Sequence, residues 1–99
     1  MSSLHEWQYK IGDWHEKEFG TFTETLDEAL WKKLEEEAYE AVHAEGSEVA
    51  DELADVLIVT MALAHRYGIN IEDALRRKFN IVRSRNQRQR EVDRGLLPA

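Results

Sequence analysis

Two pairs of acidic residues lie close together in a helical part of the sequence and have a spacing typical of metal ligands. Glu37 and Glu40 form the first pair, and Glu52 and Asp55 form the second, directly before the apolar residues 56–59. Residues three apart share a helix face, so each pair directs two carboxylates the same way, where their like charges repel. Carboxylate oxygens are hard ligands that suit Mg²⁺ and Mn²⁺. The pattern therefore predicts a divalent-metal site that serves phosphate chemistry.

The two acidic pairs are expected to lie level with each other across a helical hairpin. Gly46 is predicted to end the second helix and Ser47 to cap the third at once, so these helices should run antiparallel. The first pair lies roughly 9–13 Å of helical rise before this bend, at ~1.5 Å per residue, and the second pair lies a comparable length after it. The second pair also lies among apolar residues, and a buried carboxylate is unfavourable unless it is paired or metal-bound. Most glutamate-rich helices expose their acids to solvent without binding a metal. The features above favour a metal site in this chain.

The composition indicates one domain over residues 1–99, long enough for a modest single core. The chain has no cysteine, which excludes disulfides and thiolate–metal sites. The apolar run 56–64 is interrupted by Thr60 and is too short to span a membrane, and the polar N-terminal stretch does not resemble a secretory signal. We therefore expect a soluble protein of the cytoplasm, or of a host cell's cytoplasm if the source is viral, with no membrane partner.

The charges are separated along the chain, whose formal net charge is −7. Residues 27–55 contain eleven acids against two lysines, whereas residues 76–94 contain eight basic residues against two acids. An acidic middle segment argues against a nucleic-acid partner, which would need a largely positive face. The distribution is typical of an acidic cluster that holds cations, together with basic side chains that hold an anionic substrate.

The helix signals predict an all-α fold, an antiparallel bundle of about four helices. Ser3 opens the first helix as part of a capping box and Gly20 ends it, while Thr25 opens the second in the same way. Trp7, Ile11 and Trp14 lie on one stripe of the first helix, and the second helix is predicted to direct Leu26, Leu30, Leu34, Ala38 and Val42 toward a core. The four histidines, His5, His15, His43 and His65, are predicted to be surface or capping residues.

The third and fourth helices predict that the bundle is completed by homo-oligomerisation. After its acidic turns the third helix is apolar around most of its circumference, which in so small a chain indicates burial against another subunit. The fourth helix opens at Asn70 and carries Leu75, Phe79 and Val82. Residues 89–99 are predicted to form a loose C-terminal tail.

The combination of these motifs resembles the MazG-like nucleoside triphosphate pyrophosphohydrolases, an all-α group that also contains dimeric dUTPases and phosphoribosyl-ATP pyrophosphatases. The family pattern is Glu-Glu-x-x-Glu, a spacer and Glu-x-x-Asp, which residues 36–40 and 52–55 match with a slightly shorter spacer. The resemblance extends over Trp14 and the Phe19–Gly20 pair, and over the basic segment 78–85.

The resemblance implies a metal-dependent hydrolase. Glu37, Glu40, Glu52 and Asp55 would hold Mg²⁺, with Mn²⁺ as a substitute, and Glu36 would be a further ligand or would orient or deprotonate the attacking water. The reaction would be water attack on the α-phosphorus of a nucleoside triphosphate, with dNTPs the favoured class, releasing pyrophosphate and a monophosphate.

The resemblance also assigns substrate-binding residues and an assembly. Lys78 and Arg85 share a helix face and would bind the phosphates, and Trp14 would stack on the base. Some relatives carry an asparagine where this chain has Val82, and Asn80 is the candidate to replace it. A homodimer, or a tetramer built as a dimer of dimers, is implied.

Three other functions remain open at this point. A phosphoribosyl-ATP pyrophosphatase would share the acidic motif, although the first helix with Trp14 favours nucleotide-pool substrates. A di-iron carboxylate bundle needs two Glu-x-x-His motifs, and Glu40 with His43 supplies only one. A non-catalytic helical interaction module would use the acids for solubility alone.

Overall fold

The computed structural model describes residues 3–98, which form four helices. They are α1 (Leu4–Phe19), α2 (Glu24–Val42), α3 (Glu48–Arg66) and α4 (Ile71–Asp93). Within these residues there is no strand, which confirms the all-α class. Helices α2 and α3 form the most extensive pair, α1 packs on α3, and α4 contacts α1 over a short length. In this part of the chain, no helix combines the length and apolar character needed to cross a bilayer.

Side-chain caps set the start of three helices. Ser3, Thr23 and Asn70 each accept a hydrogen bond from the backbone N–H three residues later. The prediction that Thr25 caps α2 is therefore wrong. The cap is Thr23, two residues earlier, whose side chain accepts a hydrogen bond from the Leu26 N–H at 3.2 Å.

The bend between α2 and α3 differs from the prediction. Ser47 has helical angles (φ −69°, ψ −15°) and its side chain makes no capping bond. Helix α2 already ends at Val42 with His43 as its C-cap, so Gly46 (φ +58°) does not occupy the position after the helix but turns the connection. The backbone bond from Glu48 N–H to Glu45 C=O closes the turn instead.

The core lies between α1, α2 and the C-terminal half of α3. Its buried members are Leu30, Val59, Ala62 and Leu63, with Ile11, Phe22, Leu26 and Leu34 packed against them. The predicted core position of Val42 is wrong, because this side chain is 79% exposed near the hairpin bend. Helix α1 lies along the other end of the hairpin, where it contacts residues 65–69.

The buried face of α1 is not the aromatic stripe that the sequence predicts. Trp7 and Trp14 are 51% and 49% exposed, whereas Gln8, Gly12 and His15 are buried. Gly12 lies directly against the ring of His65 on α3. A small residue on this face lets the two helices approach closely, and the wide aromatic residues are left at the edges.

Helix α4 has no buried residue, and the apolar side chains Leu75 and Phe79 are 56% and 59% exposed. It continues to Asp93, so residues 89–93, which the sequence assigns to the loose tail, are helical. The reason is local: no glycine or proline lies between Ile71 and Gly95, and Gln89 donates a hydrogen bond to Asp93 at 2.9 Å.

Gln8 joins α1 to the start of α4. Its Nε2 donates to the Ile69 carbonyl at 2.6 Å, and its Oε1 accepts from the Ile71 N–H at 2.9 Å. The Ile71 N–H is one of the first-turn donors that a helix cannot satisfy internally, so Gln8 acts as a cap from another helix.

Replacing this side chain, Gln8→Ala, is expected to destabilise the fold by about 2 kcal/mol, because two hydrogen bonds are lost at a largely buried site. Urea unfolding would measure the change. Gln89→Ala is the matched control, since its exposed bond to Asp93 should contribute little. Equal stabilities for the two variants would contradict this role of Gln8.

Candidate metal centre

Three carboxylates from two helices converge at one point. Glu37 on α2 and Glu52 and Asp55 on α3 each place a carboxylate oxygen within 4.8 Å of the others. The antiparallel α2–α3 pair brings them level, as the helical rise on each side of the bend predicts. Glu37 is only 6% exposed, which is unusual for a glutamate.

Two oxygens in this cluster have no hydrogen-bond partner among the described residues. They are Oε2 of Glu37 and Oε2 of Glu52, and both are buried. A buried, unpaired carboxylate oxygen is strongly unfavourable, and a bound cation would compensate it. The donor set consists of carboxylates alone, which fits hard ions such as Mg²⁺ or Mn²⁺.

The electrostatics of Glu52 indicate a crowded acidic cluster. Its pKa is raised above the ordinary value, first by burial and then by the negative charges of Glu40, Asp55 and Glu37. Among these neighbouring charges, that of Glu40 has the largest effect. Glu40 therefore faces the cluster, although it is exposed and outside the group of three.

Glu36 lies beside the cluster rather than in it. Its side chain is exposed on α2, one residue before Glu37. It is four residues before Glu40, so these two side chains share a helix face.

Lys33 is a residue of this site that the sequence analysis did not assign. Its Nζ lies 2.9 Å from Oε1 of Glu37, and its side chain is about half exposed. The hydrogen bond from Lys33 to Glu37, followed by the charge of Glu37, raises the pKa of the lysine. The i,i+4 spacing of the two residues is the sequence signal that would have found this pair.

A pocket of ≈ 490 Å³ begins at the acidic cluster and runs between α1, α2 and α3. Glu37, Asp55 and Lys33 supply its charged lining. The rest of the wall is aromatic or aliphatic, apart from one histidine: Trp14, His15, Phe19, Leu26, Ala29, Leu30, Ile58, Val59 and Ala62. A mainly apolar pocket with a few polar groups is typical of small-molecule sites.

The aromatic wall comes from the last two turns of α1. The rings of Trp14 and Phe19 meet edge to face at 6.2 Å, and His15 lies 4.6 Å from Phe19. The prediction that His15 is a surface or capping residue is wrong, because it is 5% exposed. His43 does cap α2, where its ring Nδ1 lies 2.8 Å from the Tyr39 carbonyl oxygen.

Comparison with protein-family models connects this geometry to a family. The model of the MazG-like family matches residues 21–94, which cover α2, α3 and α4. The chain belongs to the MazG-like family. Comparison with curated proteins and with solved structures gives no match. Membership suggests a nucleotide pyrophosphatase type of function.

The MazG-like match includes every acidic residue discussed above, but it begins after α1. Trp14, His15 and Phe19 therefore belong to a helix that the family match does not cover. This part of the pocket is argued from the geometry of this chain alone.

The residues of α4 that are predicted to bind phosphate do not reach the pocket in this structure. Lys78, Asn80 and Arg85 lie on α4, all three are exposed, and none lines the pocket. Asn80 accepts a 3.4 Å hydrogen bond from Arg83 on its own helix. Sequence spacing predicts their common helix but does not specify where that helix lies relative to α2 and α3.

Proposed function

We propose that this MazG-like protein hydrolyses nucleoside triphosphates, deoxynucleotides above all, to the monophosphate and pyrophosphate. Mg²⁺ or Mn²⁺ would be held by Glu37, Glu52 and Asp55, with Glu40 as a fourth ligand. The observation that carries the proposal is the pair of unpartnered buried oxygens in the carboxylate cluster, at the charged end of an otherwise apolar pocket. Nucleoside triphosphates are cytoplasmic metabolites, so we place the protein there.

A divalent ion bound at this position would neutralise phosphate charge and lower the pKa of a coordinated water. The protein residues have separate tasks around it. Glu37 and Asp55 line the pocket and would hold the cation there, which places the triphosphate at this charged end. Glu36 is exposed and shares a face with Glu40, a position that suits a group accepting a proton from the attacking water.

The apolar part of the pocket suits the flat ring of a nucleobase. Trp14 is about half exposed at the pocket wall, so its ring remains available for stacking. Aromatic stacking on a base contributes on the order of 1–3 kcal/mol. The pocket volume of ≈ 490 Å³ lies within the range that small-molecule sites span.

A second copy of the chain is the proposed source of the phosphate-binding residues. Leu75 and Phe79 on α4, and Leu53 and Leu57 on α3, are each more than half exposed. Covering them against a second protomer would bury this apolar surface and carry the basic half of α4 to an acidic partner. Lys78, Asn80 and Arg85 would then act on the partner's phosphates.

This assembly predicts a homodimer, or a tetramer formed as a dimer of dimers, in sedimentation equilibrium. Leu57→Asp would place a charge in the apolar contact, so we expect it to shift the mass toward the monomer. His5→Asp, on an exposed part of α1, should leave the mass unchanged. A monomeric unmodified protein would contradict the assembly.

The activity is tested by measuring pyrophosphate release from a panel of NTPs and dNTPs with Mg²⁺, Mn²⁺ or EDTA. We expect metal-dependent release with a preferred base. Release of pyrophosphate from phosphoribosyl-ATP alone would favour a phosphoribosyl-ATP pyrophosphatase. A folded protein that releases no pyrophosphate from any of them would favour the non-catalytic interaction module.

Lys33→Met is expected to tighten the binding of the metal ion and to weaken the binding of the triphosphate. The ammonium of Lys33 is now bonded to Glu37, so it competes with a divalent ion for that carboxylate. Once an ion is bound, the same ammonium is free to contact phosphate oxygen. We expect a several-fold lower Kd for Mn²⁺ by calorimetry and a higher KM for dNTP. Lys32→Met, an exposed neighbour, is the control, and unchanged Mn²⁺ affinity in Lys33→Met would contradict the competition.

A further inference from the structure

We infer that His15 selects the nucleobase: its Nε2–H donates a hydrogen bond to a carbonyl oxygen on the base edge farthest from the sugar. Bases with a carbonyl there, such as uracil and thymine, would be preferred over cytosine, which has an amino group. The inference deepens the proposed nucleotide hydrolysis and rests on it.

Arg66 fixes the tautomer of His15. Its Nε and Nη2 lie 3.2 and 3.0 Å from Nδ1 of the histidine. A guanidinium has only donors and stays charged, so Nδ1 must be the unprotonated acceptor and the ring proton must be on Nε2. Arg66 is itself held in place, since it also donates to the backbone carbonyls of His15 at 3.1 Å and Gly20 at 2.7 Å.

The surroundings keep the imidazole neutral. Burial, followed by the charges of Arg66 and His65, lowers the pKa of His15, and Glu16 opposes this only in part. A proton on Nδ1 would also point directly at the guanidinium. At neutral pH the ring is therefore an imidazole with one donor, Nε2–H.

That donor faces the pocket. The two nitrogens of an imidazole point in divergent directions, so Nε2 is directed away from Arg66. Among residues 3–98 no protein group pairs with Nε2, and it is not one of the buried polar atoms lacking a partner. The atom therefore borders open space, and the space that His15 lines is the pocket.

His15 lies toward the end of the pocket away from the acidic cluster. It contacts Arg66, which follows Asp55 on the same helix by roughly 16 Å of rise at ~1.5 Å per residue. A nucleotide with its phosphates at the cluster extends its base toward His15. The edge that meets Nε2–H is then the one opposite the sugar, which in pyrimidines carries the 4-substituent.

A fixed donor in a largely apolar part of the pocket discriminates strongly between acceptor and donor groups. A carbonyl oxygen pairs with Nε2–H, whereas an amino group leaves two donors facing each other. Leaving a desolvated donor without a partner lowers affinity by on the order of 10-fold or more. The remaining wall, with Trp14 and Phe19, contacts ring faces and does not distinguish the two bases.

The test measures binding separately from hydrolysis, using non-hydrolysable α,β-imido analogues of dUTP and dCTP with Mg²⁺ in isothermal calorimetry. We expect the unmodified protein to bind the dUTP analogue at least about 10-fold more tightly. The corresponding 2-pyrimidinone nucleotide, which has hydrogen in place of the 4-oxygen, should lose the same factor. His15→Phe keeps an aromatic ring without the donor and should bind all three about equally, while His43→Phe, outside the pocket, should keep the preference.

The outcomes separate this inference from the proposed function. Equal affinities of the unmodified protein for the dUTP and dCTP analogues would overturn the role of His15 even if dNTPs are hydrolysed. Discrimination in binding with no hydrolysis of dUTP would support His15 and overturn the hydrolase. The 2-pyrimidinone comparison needs no variant, so a His15→Phe protein that fails to fold would not prevent a decision.

Discussion

Glu52→Gln is expected to abolish turnover and, at the same time, to raise the melting temperature of the metal-free protein. Glu52 has a buried oxygen without a partner and faces the charges of Glu40, Asp55 and Glu37. A neutral amide of the same shape removes this repulsion but cannot replace a carboxylate ligand. Replacing a residue that only hydrogen-bonds to a metal ligand lowers activity by up to about 100-fold. Because Glu52 is proposed as a ligand itself, we expect kcat/KM to fall by more than that.

The sign of the pH dependence follows from the raised pKa of Glu52. A group with a higher pKa in the folded state binds more protons when folded, so the stability it contributes falls as pH rises from its ordinary pKa, about 4.3, through the raised folded value. His15 acts oppositely, because its lowered pKa reduces stability as pH falls below about 6.5. The difference between the unmodified protein and Glu52→Gln isolates the first effect: in EDTA it should be largest near neutral pH and shrink in acid.

Thermal melts in EDTA, paired with pyrophosphate assays in Mg²⁺, measure both halves of this prediction. Glu35→Gln on exposed α2 surface is the matched control and should change neither quantity appreciably. A Glu52→Gln protein that is less stable than the unmodified one in EDTA, or that retains turnover, would remove the reason for a metal at this cluster.

Gly12→Ala is expected to destabilise the fold by disrupting the packing of α1 on α3. A Cβ built on Gly12 would overlap Cγ of His65, so α1 and α3 must separate or the His65 ring must move. Nε2 of that ring lies 2.8 Å from Oε1 of Glu16. The next residue, Arg66, donates a hydrogen bond to the Gly20 carbonyl at the end of α1. Overpacking of this kind costs about 1–3 kcal/mol, equivalent to a fall in Tm of roughly 4–24 °C in a domain of this size.

The double variant Gly12→Ala/His65→Ala tests the cause of that loss. Removing the ring gives the new methyl group space, so the double variant should be more stable than the sum of the two single changes predicts. Additive effects in thermal or urea unfolding would show that the Gly12–His65 contact does not limit the approach of the helices.

The acidic cluster could be predicted from the sequence because its geometry is local. The i,i+3 spacings and the helical rise on both sides of one short bend place Glu37, Glu52 and Asp55 together, and small errors at Ser47 and Gly46 do not change this.

The face of α1 and the location of α4 depend on non-local packing and could not be predicted in the same way. Periodicity favours the aromatic stripe of Trp7 and Trp14, but close approach to His65 selects the stripe with Gly12. His15 resembles any other histidine until Arg66, fifty-one residues later, is seen to hold it. On α4, Lys78 is exposed, and the spacing of the basic residues does not specify how this helix packs on the others.

The central claim is tested most directly by hydrolysing dUTP in H₂¹⁸O with Mg²⁺ and analysing the products by mass spectrometry. Attack of water on the α-phosphorus predicts dUMP that carries one ¹⁸O and pyrophosphate that carries none, and no product in EDTA. Release of orthophosphate and dUDP, or ¹⁸O in the pyrophosphate, would contradict this account of the reaction.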